Sequence, residues 1–96
     1  MIFHVTVKLK TGASFGKYKA TVRDCKAIFG KHGWKLLASY ATVVGRTNTY
    51  VNVWDVPSQE AVQAGMFDPG LADVVPRVRE LVEEEVTSLM MAYTVD

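Results

Sequence analysis

The apolar residues of this chain first repeat with a period of two and then change to a period close to 3.5. Residues 2–9 alternate and place four apolar side chains on one face, which predicts a β-strand; these are Phe3, Val5, Val7 and Leu9. From 15 to 32 the apolar residues step by three and four, which predicts a helix with one apolar stripe; the stripe contains Phe15, Tyr18, Val22, Cys25 and Phe29. Ser14 can cap this helix at its start, and Gly33 can end it.

The rest of the chain predicts three further strands and two further helices. The strands are expected at 34–45, 49–56 and 86–95, a short helix at 59–66 after Ser58, and a last helix within 71–85. Pro76 either kinks that last helix or lies at its start, near residue 75. The order βαββαβ predicts an α+β, ferredoxin-like fold, with a four-stranded antiparallel sheet and helices on one face. We expect a single domain over residues 1–96.

The two main helices can cover only one face of such a sheet, so the other face needs a partner. The second and fourth predicted strands carry apolar residues on both of their faces. On the second strand we expect one group, Leu37, Ala41 and Val43, to oppose another, Leu36, Ala38, Tyr40 and Val44. On the fourth, Leu89, Met91, Tyr93 and Val95 oppose Met90 and Ala92. Monomers avoid large exposed apolar patches, so the sequence predicts a homodimer formed through the uncovered sheet face.

Charge and composition argue against several classes of protein. Eleven basic and ten acidic residues give a net charge of +1, which does not favour a nucleic-acid partner. No apolar run is long enough for a membrane helix, and the first residues do not have the order of a signal peptide. The single cysteine, Cys25, lies on the helical stripe and is interpreted as a packing residue. We therefore expect a cytoplasmic protein with neither a nucleic-acid nor a membrane partner.

The third predicted strand carries the most informative face of the molecule. Tyr50, Asn52 and Trp54 alternate with Val51 and Val53, so they form one bulky face with polar tips. A buried amide such as that of Asn52 needs hydrogen-bond partners. These partners are either neighbouring protein groups, in which case the face is ordinary core, or a ligand in a small-molecule pocket. Both interpretations stay open on the sequence.

Several segments of the chain resemble the NIPSNAP-like branch of the dimeric α/β-barrel superfamily. "LKTG" at 9–12 is similar to a strand-ending segment of that family. Its central hairpin is similar to "KHGWKLLASYATVVGRTNTYVNVW", with Gly45, Asn48 and Trp54 at the recurring positions. "DPGLADVVPRVRELVEEE" resembles the entry into the family's last helix. The chain departs from the family at Val56, where a tyrosine is common, and at Ala61 and Val62, where an arginine is common.

The resemblance implies a pocket between the sheet and the helices. Small barrels of this kind include antibiotic-biosynthesis monooxygenases, and "NVWDVPSQEA" is similar to a segment that borders their pocket. The resemblance implies Asn52 and Trp54 as catalytic residues. It implies a ligand-binding wall of Tyr50, Tyr18, Val5, Val7, Phe15 and Val22. The ligand would be a small hydrophobic or aromatic molecule, turned over by a cofactor-independent monooxygenase or cyclase. No cofactor is expected, since residues 71–85 lack the histidine that the haem-degrading type needs.

Two other functions stay open beside the enzyme. One is a binding module that holds a hydrophobic ligand without turnover, and the other is a structural dimer that scaffolds another protein. His4 is expected on the face toward the dimer partner, and His32 at a helix end, where capping explains it. Two histidines on separate elements without clustered acids or cysteines do not predict a metal site.

Overall fold

Four antiparallel strands and three α-helices build the fold in the computed structural model, which describes residues 1–95. The strands are β1 (Ile2–Leu9), β2 (Lys35–Ala41), β3 (Thr49–Asp55) and β4 (Val82–Met90). The helices are α1 (Phe15–Gly30), α2 (Gln59–Met66) and α3 (Val75–Leu81), with a 3₁₀ helix at Pro69–Asp73 before α3. The sheet order is β2-β3-β1-β4. The predicted ferredoxin-like fold is confirmed.

The helix ends use the caps that the sequence indicates. The Ser14 hydroxyl accepts a hydrogen bond from the Lys17 amide at 3.2 Å, and the Ser58 hydroxyl accepts one from the Ala61 amide at 3.1 Å. Each bond satisfies an amide that the first turn of a helix leaves free. Gly33 has a φ of +82°, a conformation that a side chain would disfavour. The helix α1 ends at Gly30, two residues before the predicted end at 32.

The register of β1 against β3 decides which side chains face the helices. Phe3 pairs with Trp54, Val5 with Asn52 and Val7 with Tyr50. These six side chains share the covered face of the sheet, because alternate residues of a strand point the same way. The predicted common face of Tyr50, Asn52 and Trp54 is therefore present, and it lies under the helices.

Aromatic rings form the centre of the core. Trp34 stacks on Phe29 with a centroid distance of 4.1 Å and meets Trp54 and Phe3 edge-on at 5.8 and 5.3 Å. The Trp34 indole N–H donates to the Ala61 carbonyl at 2.8 Å, so a buried polar group is satisfied. This bond ties the start of α2 to the core.

The second strand differs from its prediction in length and in face. It ends at Ala41, because the Thr42 amide makes the last bond of the hairpin, to the Thr49 carbonyl, and the chain then turns. A bulge between Leu36 and Ala38 inserts one residue. After the bulge the alternation changes sides. The predicted grouping of Leu36 with Ala38 and Tyr40 is wrong, since Leu36, Ser39 and Ala41 pair with Trp54, Asn52 and Tyr50 on the covered face.

The last helix ends earlier than predicted, and the last strand both begins and ends earlier than predicted. Helix α3 starts at Val75 with Pro76 in its first turn, which decides between the two alternatives for Pro76. It ends at Leu81, and β4 runs from Val82 to Met90 rather than over 86–95. Pairing with β1 extends this strand toward the helix, with Val7 opposite Glu85. Residues 91–95 lie beyond the strand.

The open face of the sheet carries apolar side chains in the described chain. Tyr40, Val86 and Met90 are exposed there, and Val51 and Val53 are half-buried. Beyond β4, Met91, Tyr93 and Val95 are also exposed. Across residues 1–95, the helices are too short or too polar to cross a bilayer.

Candidate functional site

Helix α1 divides the covered face of the sheet into two cavities. On one side is a cleft of about 300 Å³ between α1, α3 and the strands, which we call the inner cleft. On the other side is a trough of about 390 Å³ between α1 and strands β2 and β3, which we call the outer trough. The side chains that define the inner cleft are mainly apolar, and they include Val5, Val7, Val22, Trp54, Leu71, Val74 and Val78. A volume of this size with few polar groups is typical of small-molecule sites.

A chain of hydrogen bonds separates the two cavities. The Ser39 hydroxyl donates to the Asn52 side-chain oxygen at 2.7 Å. The Asn52 side-chain nitrogen donates to the Tyr18 hydroxyl oxygen at 2.9 Å. Both the amide oxygen and one amide N–H of Asn52 are thus used within the protein. The hydroxyl of Tyr18 accepts this bond and donates to none of the residues described, so its proton is free to bond a ligand.

The Tyr18 phenol stays protonated over the physiological range. Burial raises its pKa to about 12, the hydrogen bond from Asn52 acts in the opposite direction, and the negative charge of Glu85 raises it further. A phenol with this pKa is a hydrogen-bond donor rather than a base at neutral pH. Tyr18 therefore suits the recognition of an oxygen atom on a bound molecule.

Glu85 supplies the carboxylate of the inner cleft. It pairs with Val7 in the sheet, so its side chain points toward the helices, and it lines the cleft together with Arg79. Much of the residue is exposed, while partial burial of the carboxyl group raises its pKa. A carboxylate of raised pKa beside an apolar cavity is the kind of group that can take up a proton from a ligand.

Cys25 lies in the same cleft. It is half-buried in α1 and free, and burial raises the pKa of its thiol to about 11. A protonated thiol is a poor nucleophile. Its place on the inward side of the helix agrees with the interpretation of Cys25 as a packing residue.

The structure distributes the expected site residues over the two cavities, and Tyr18, Val22 and Asn52 line both of them. Five of them line the inner cleft together with Asn52: Val5, Val7, Tyr18, Val22 and Trp54. Trp54 is only 3% exposed, so it forms the floor of the cleft as part of the aromatic core. Phe15 and Tyr50 lie on the far side of α1 and line the outer trough, where their rings stack with a centroid distance of 4.6 Å.

The polar residues that were not expected from the sequence include Ser39 and Glu85, and Thr21 and Arg79 also line the inner cleft. Ser39 was missed because the bulge in β2 changes the face of every later residue. Glu85 was missed because the last helix was predicted within 71–85, whereas the structure places Glu85 in β4. An alternation read backward from Leu89 through Thr87 would have placed Glu85 on the covered face.

The two histidines lie away from this site. His4 is on the open face, opposite Val53 and Ser88, as predicted. The His32 ring nitrogen lies 2.7 Å from an Asp68 carboxylate oxygen, and this bond lowers the pKa of Asp68. His32 thus joins the end of α1 to the 3₁₀ helix. No cluster of three or more His, Cys, Asp or Glu side chains suited to a metal occurs within residues 1–95.

Comparison with solved structures gives the fold relatives of this chain. A NIPSNAP family protein of unknown function from Agrobacterium tumefaciens is 26% identical, with a TM-score of 0.74 over 94% of this chain and 86% of that one. An uncharacterised NIPSNAP domain protein from Burkholderia xenovorans is 18% identical, with a TM-score of 0.72 over all of both chains. SnoaB from Streptomyces nogalater, a cofactor-independent oxygenase, is 14% identical, with a TM-score of 0.74 over 98% and 93%.

These similarities confirm the resemblance to NIPSNAP-like proteins and the fold that it implies. No protein-family model matches the sequence, and no curated protein matches it. The likeness to SnoaB, at 14% identity, is a likeness of fold.

Proposed function

We propose that this protein binds a hydroxylated aromatic molecule in the inner cleft and promotes its reaction with dioxygen without a bound cofactor. The observation that carries the proposal is the free donor on Tyr18, held by Asn52 inside an apolar cleft that also contains the Glu85 carboxylate. The fold shared with a cofactor-independent oxygenase supports the reaction class, as an analogy of fold.

Three polar residues of the cleft have separate roles in the proposed reaction. The Tyr18 hydroxyl donates a hydrogen bond to the substrate oxygen, and Asn52 orients Tyr18. Glu85 accepts a proton from the substrate, which leaves an electron-rich enolate or phenolate. Because negative charge grows on the substrate oxygen in this step, a fixed donor at that position lowers the barrier.

The oxygenation balances without any further reagent. The substrate carbanion passes one electron to dioxygen, the two radicals combine to a peroxide anion, and Glu85 returns its proton to give a hydroperoxide. Loss of water then converts a methylene to a carbonyl, so that R₂CH₂ and O₂ give R₂C=O and H₂O. Anthrone is a suitable probe, because its enol is a phenol and its product, anthraquinone, is coloured and stable.

Oxygen uptake with anthrone tests the proposal. We expect the protein to accelerate uptake above the rate in buffer, and Glu85→Gln to lower kcat by about 100-fold or more, the usual range for loss of a general base. Glu83→Gln is the matched control, because Glu83 does not line the inner cleft and pairs instead with Lys8 at 3.0 Å. A wild-type rate equal to that of buffer, or an unchanged rate in Glu85→Gln, would refute the oxygenase.

A binding module without turnover is the second candidate. It is favoured by the Asn52 amide, whose oxygen and one N–H are already used by Ser39 and Tyr18. Saturable binding of anthraquinone with no oxygen uptake from anthrone would identify this function.

We also propose a homodimer formed through the open face of the sheet. Exposed Tyr40, Val86 and Met90 support it, because an apolar sheet face without helices is stabilised when a second copy covers it. We further propose a cytoplasmic location, because the free thiol of Cys25 suits a reducing compartment.

A further inference from the structure

The outer trough lies on the other side of α1 from the inner cleft and has a different chemical character, although Tyr18, Val22 and Asn52 line both cavities. Its floor is aromatic and aliphatic, formed by the stacked rings of Phe15 and Tyr50 with Leu36 and Ala41. One rim is helix α1, which presents three cations to the trough: Lys19, Arg23 and Lys26. The lining residues include no aspartate or glutamate.

The three cations have no ionic partner among the residues described. Other basic side chains of the molecule do have one, since Lys8 pairs with Glu83, Arg46 with Glu84 and Arg77 with Asp24. The Lys19 ammonium lies over the Phe15 ring, 5.2 Å from its centroid. This cation–π contact keeps one positive charge beside the aromatic floor. The trough thus combines an apolar surface with uncompensated positive charge.

The spacing of the cations sets the size of the ligand. Residues 19, 23 and 26 follow each other by one turn of helix, so they lie along one side of α1 over about 10 Å. That length matches a planar molecule of two or three fused rings with one charged group. Ser39 also lines the trough, and its hydroxyl, which donates to Asn52, can still accept a hydrogen bond.

We propose that the outer trough binds a flat aromatic carboxylate. Its rings lie against Phe15 and Tyr50, and its carboxylate faces Arg23 and Lys26. The planar guanidinium of Arg23 suits a carboxylate because it can donate two parallel hydrogen bonds. This proposal concerns a second site and does not depend on the inner cleft being catalytic.

The test compares two probes of the same shape and different charge. 2-Naphthoate carries the carboxylate, and 2-naphthamide replaces it with a neutral amide. Calorimetric titration at low ionic strength should give a naphthoate Kd about tenfold below that of naphthamide, as expected for one carboxylate near two or three exposed cations. The difference should shrink as salt is added.

Two double variants locate the interaction. Arg23→Gln with Lys26→Gln should weaken naphthoate binding about tenfold and leave naphthamide binding unchanged. The control is Lys17→Gln with Lys31→Gln, which removes two positive charges from α1 and its C-cap. Neither residue lines the trough, so this control should change the naphthoate Kd less than twofold. All four side chains are exposed, so both variants should keep the wild-type unfolding curve.

Amide chemical shifts distinguish the trough from the inner cleft. Naphthoate should perturb the amide signals of Ser39 and Ala41 and leave those of Leu71 and Val74 in place. The proposal is wrong if the two probes bind equally, if both double variants bind naphthoate alike, or if the shifts appear at Leu71 and Val74. Absence of saturable naphthoate binding at millimolar concentration would also overturn it.

Discussion

Gly65 of α2 lies directly against the indole ring of Trp34. A Cβ atom built on Gly65 would come within 2.8 Å of Trp34 Cζ2, which is closer than real Cβ contacts. The indole is held on its other sides by Phe29 and by the hydrogen bond to Ala61. The close approach of α2 to the core therefore requires a glycine at this position.

We expect Gly65→Ala to lower the free energy of unfolding by about 1–3 kcal/mol, because the added methyl group forces the helix or the ring to move. Gly16→Ala is the control, since a Cβ there meets only Ser14 Oγ at 3.7 Å. Within a helix that change should stabilise by about 0.5–1 kcal/mol. Urea unfolding of both variants measures the difference, and equal effects would contradict the tight contact.

Asn52→Ala should destabilise the protein by about 1–3 kcal/mol, because it removes a buried hydrogen bond and leaves the Tyr18 hydroxyl oxygen without its donor. The same variant should lose affinity for the inner-cleft ligand, since Tyr18 is no longer oriented. Gln63→Ala, at an exposed position of α2, should change the unfolding free energy by less than about 0.5 kcal/mol. An unfolding curve of Asn52→Ala that overlays the wild type would show that the hydrogen-bond chain is not formed in solution.

The stability of the protein should fall between pH 10 and 12 because of Tyr18. Its phenol has a pKa of 10.0 when unfolded and of about 12 when folded, so in this range the unfolded state releases a proton that the folded state keeps. The unfolded state is therefore favoured by up to about 1.4 kcal/mol per pH unit. Below pH 10 both states hold the proton, and Tyr18 adds no pH dependence.

Tyr18→Phe isolates this contribution, because Cys25 also titrates at high pH and is present in both proteins. We expect the variant to show a shallower decline from pH 10 to 12 in chemical unfolding experiments. Parallel curves for the two proteins over this range would be evidence against a buried phenol.

Cys25 should react slowly with thiol reagents. Its pKa of about 11 leaves little thiolate at pH 8, and the thiolate is the reactive form. We expect alkylation by iodoacetamide at least about tenfold slower than for a free cysteine under the same conditions. Denaturation in urea should restore the ordinary rate, and a fast reaction in the native protein would place Cys25 at the surface.

Val86→Asp should dissociate the proposed dimer. Val86 lies on the open face of the sheet, opposite Thr6, and is 52% exposed. Val43→Asp is the control, since Val43 is in the loop after β2 and 94% exposed. Sedimentation velocity should give a dimer for the wild type and for Val43→Asp, and a monomer for Val86→Asp. A monomeric wild type would remove the dimer from the proposal.

The fold was predictable because the periodicity of apolar residues and the capping residues agree with each other. Residues 2–9 alternate without a break, and the stripe from Phe15 to Phe29 has helical spacing. The boundary between α3 and β4 was not predictable from local pattern. Three successive glutamates favour a helix locally, whereas pairing with β1 extends the strand back to Val82.

The candidate site was predictable where alternation is unbroken and not where it is interrupted. Tyr50, Asn52 and Trp54 share a face as expected, because β3 has no irregularity between them. The bulge at Leu37 has no clear sequence signal. The sequence therefore could not identify Ser39 as the hydrogen-bond partner of Asn52. The separation of Phe15 and Tyr50 from the other site residues depends on where α1 crosses the sheet, which periodicity does not specify.

The hydrogen bond between Tyr18 and Asn52 is part of the wall of both cavities, so a ligand in either cavity would lie against the same two side chains. A molecule in the outer trough that draws Asn52 toward Ser39 would alter the donor that the inner cleft presents. By linkage, the factor by which one ligand changes the affinity of the other is the same in both directions. The chain of two hydrogen bonds from Ser39 through Asn52 to Tyr18 is thus a candidate element for cooperativity between the two cavities.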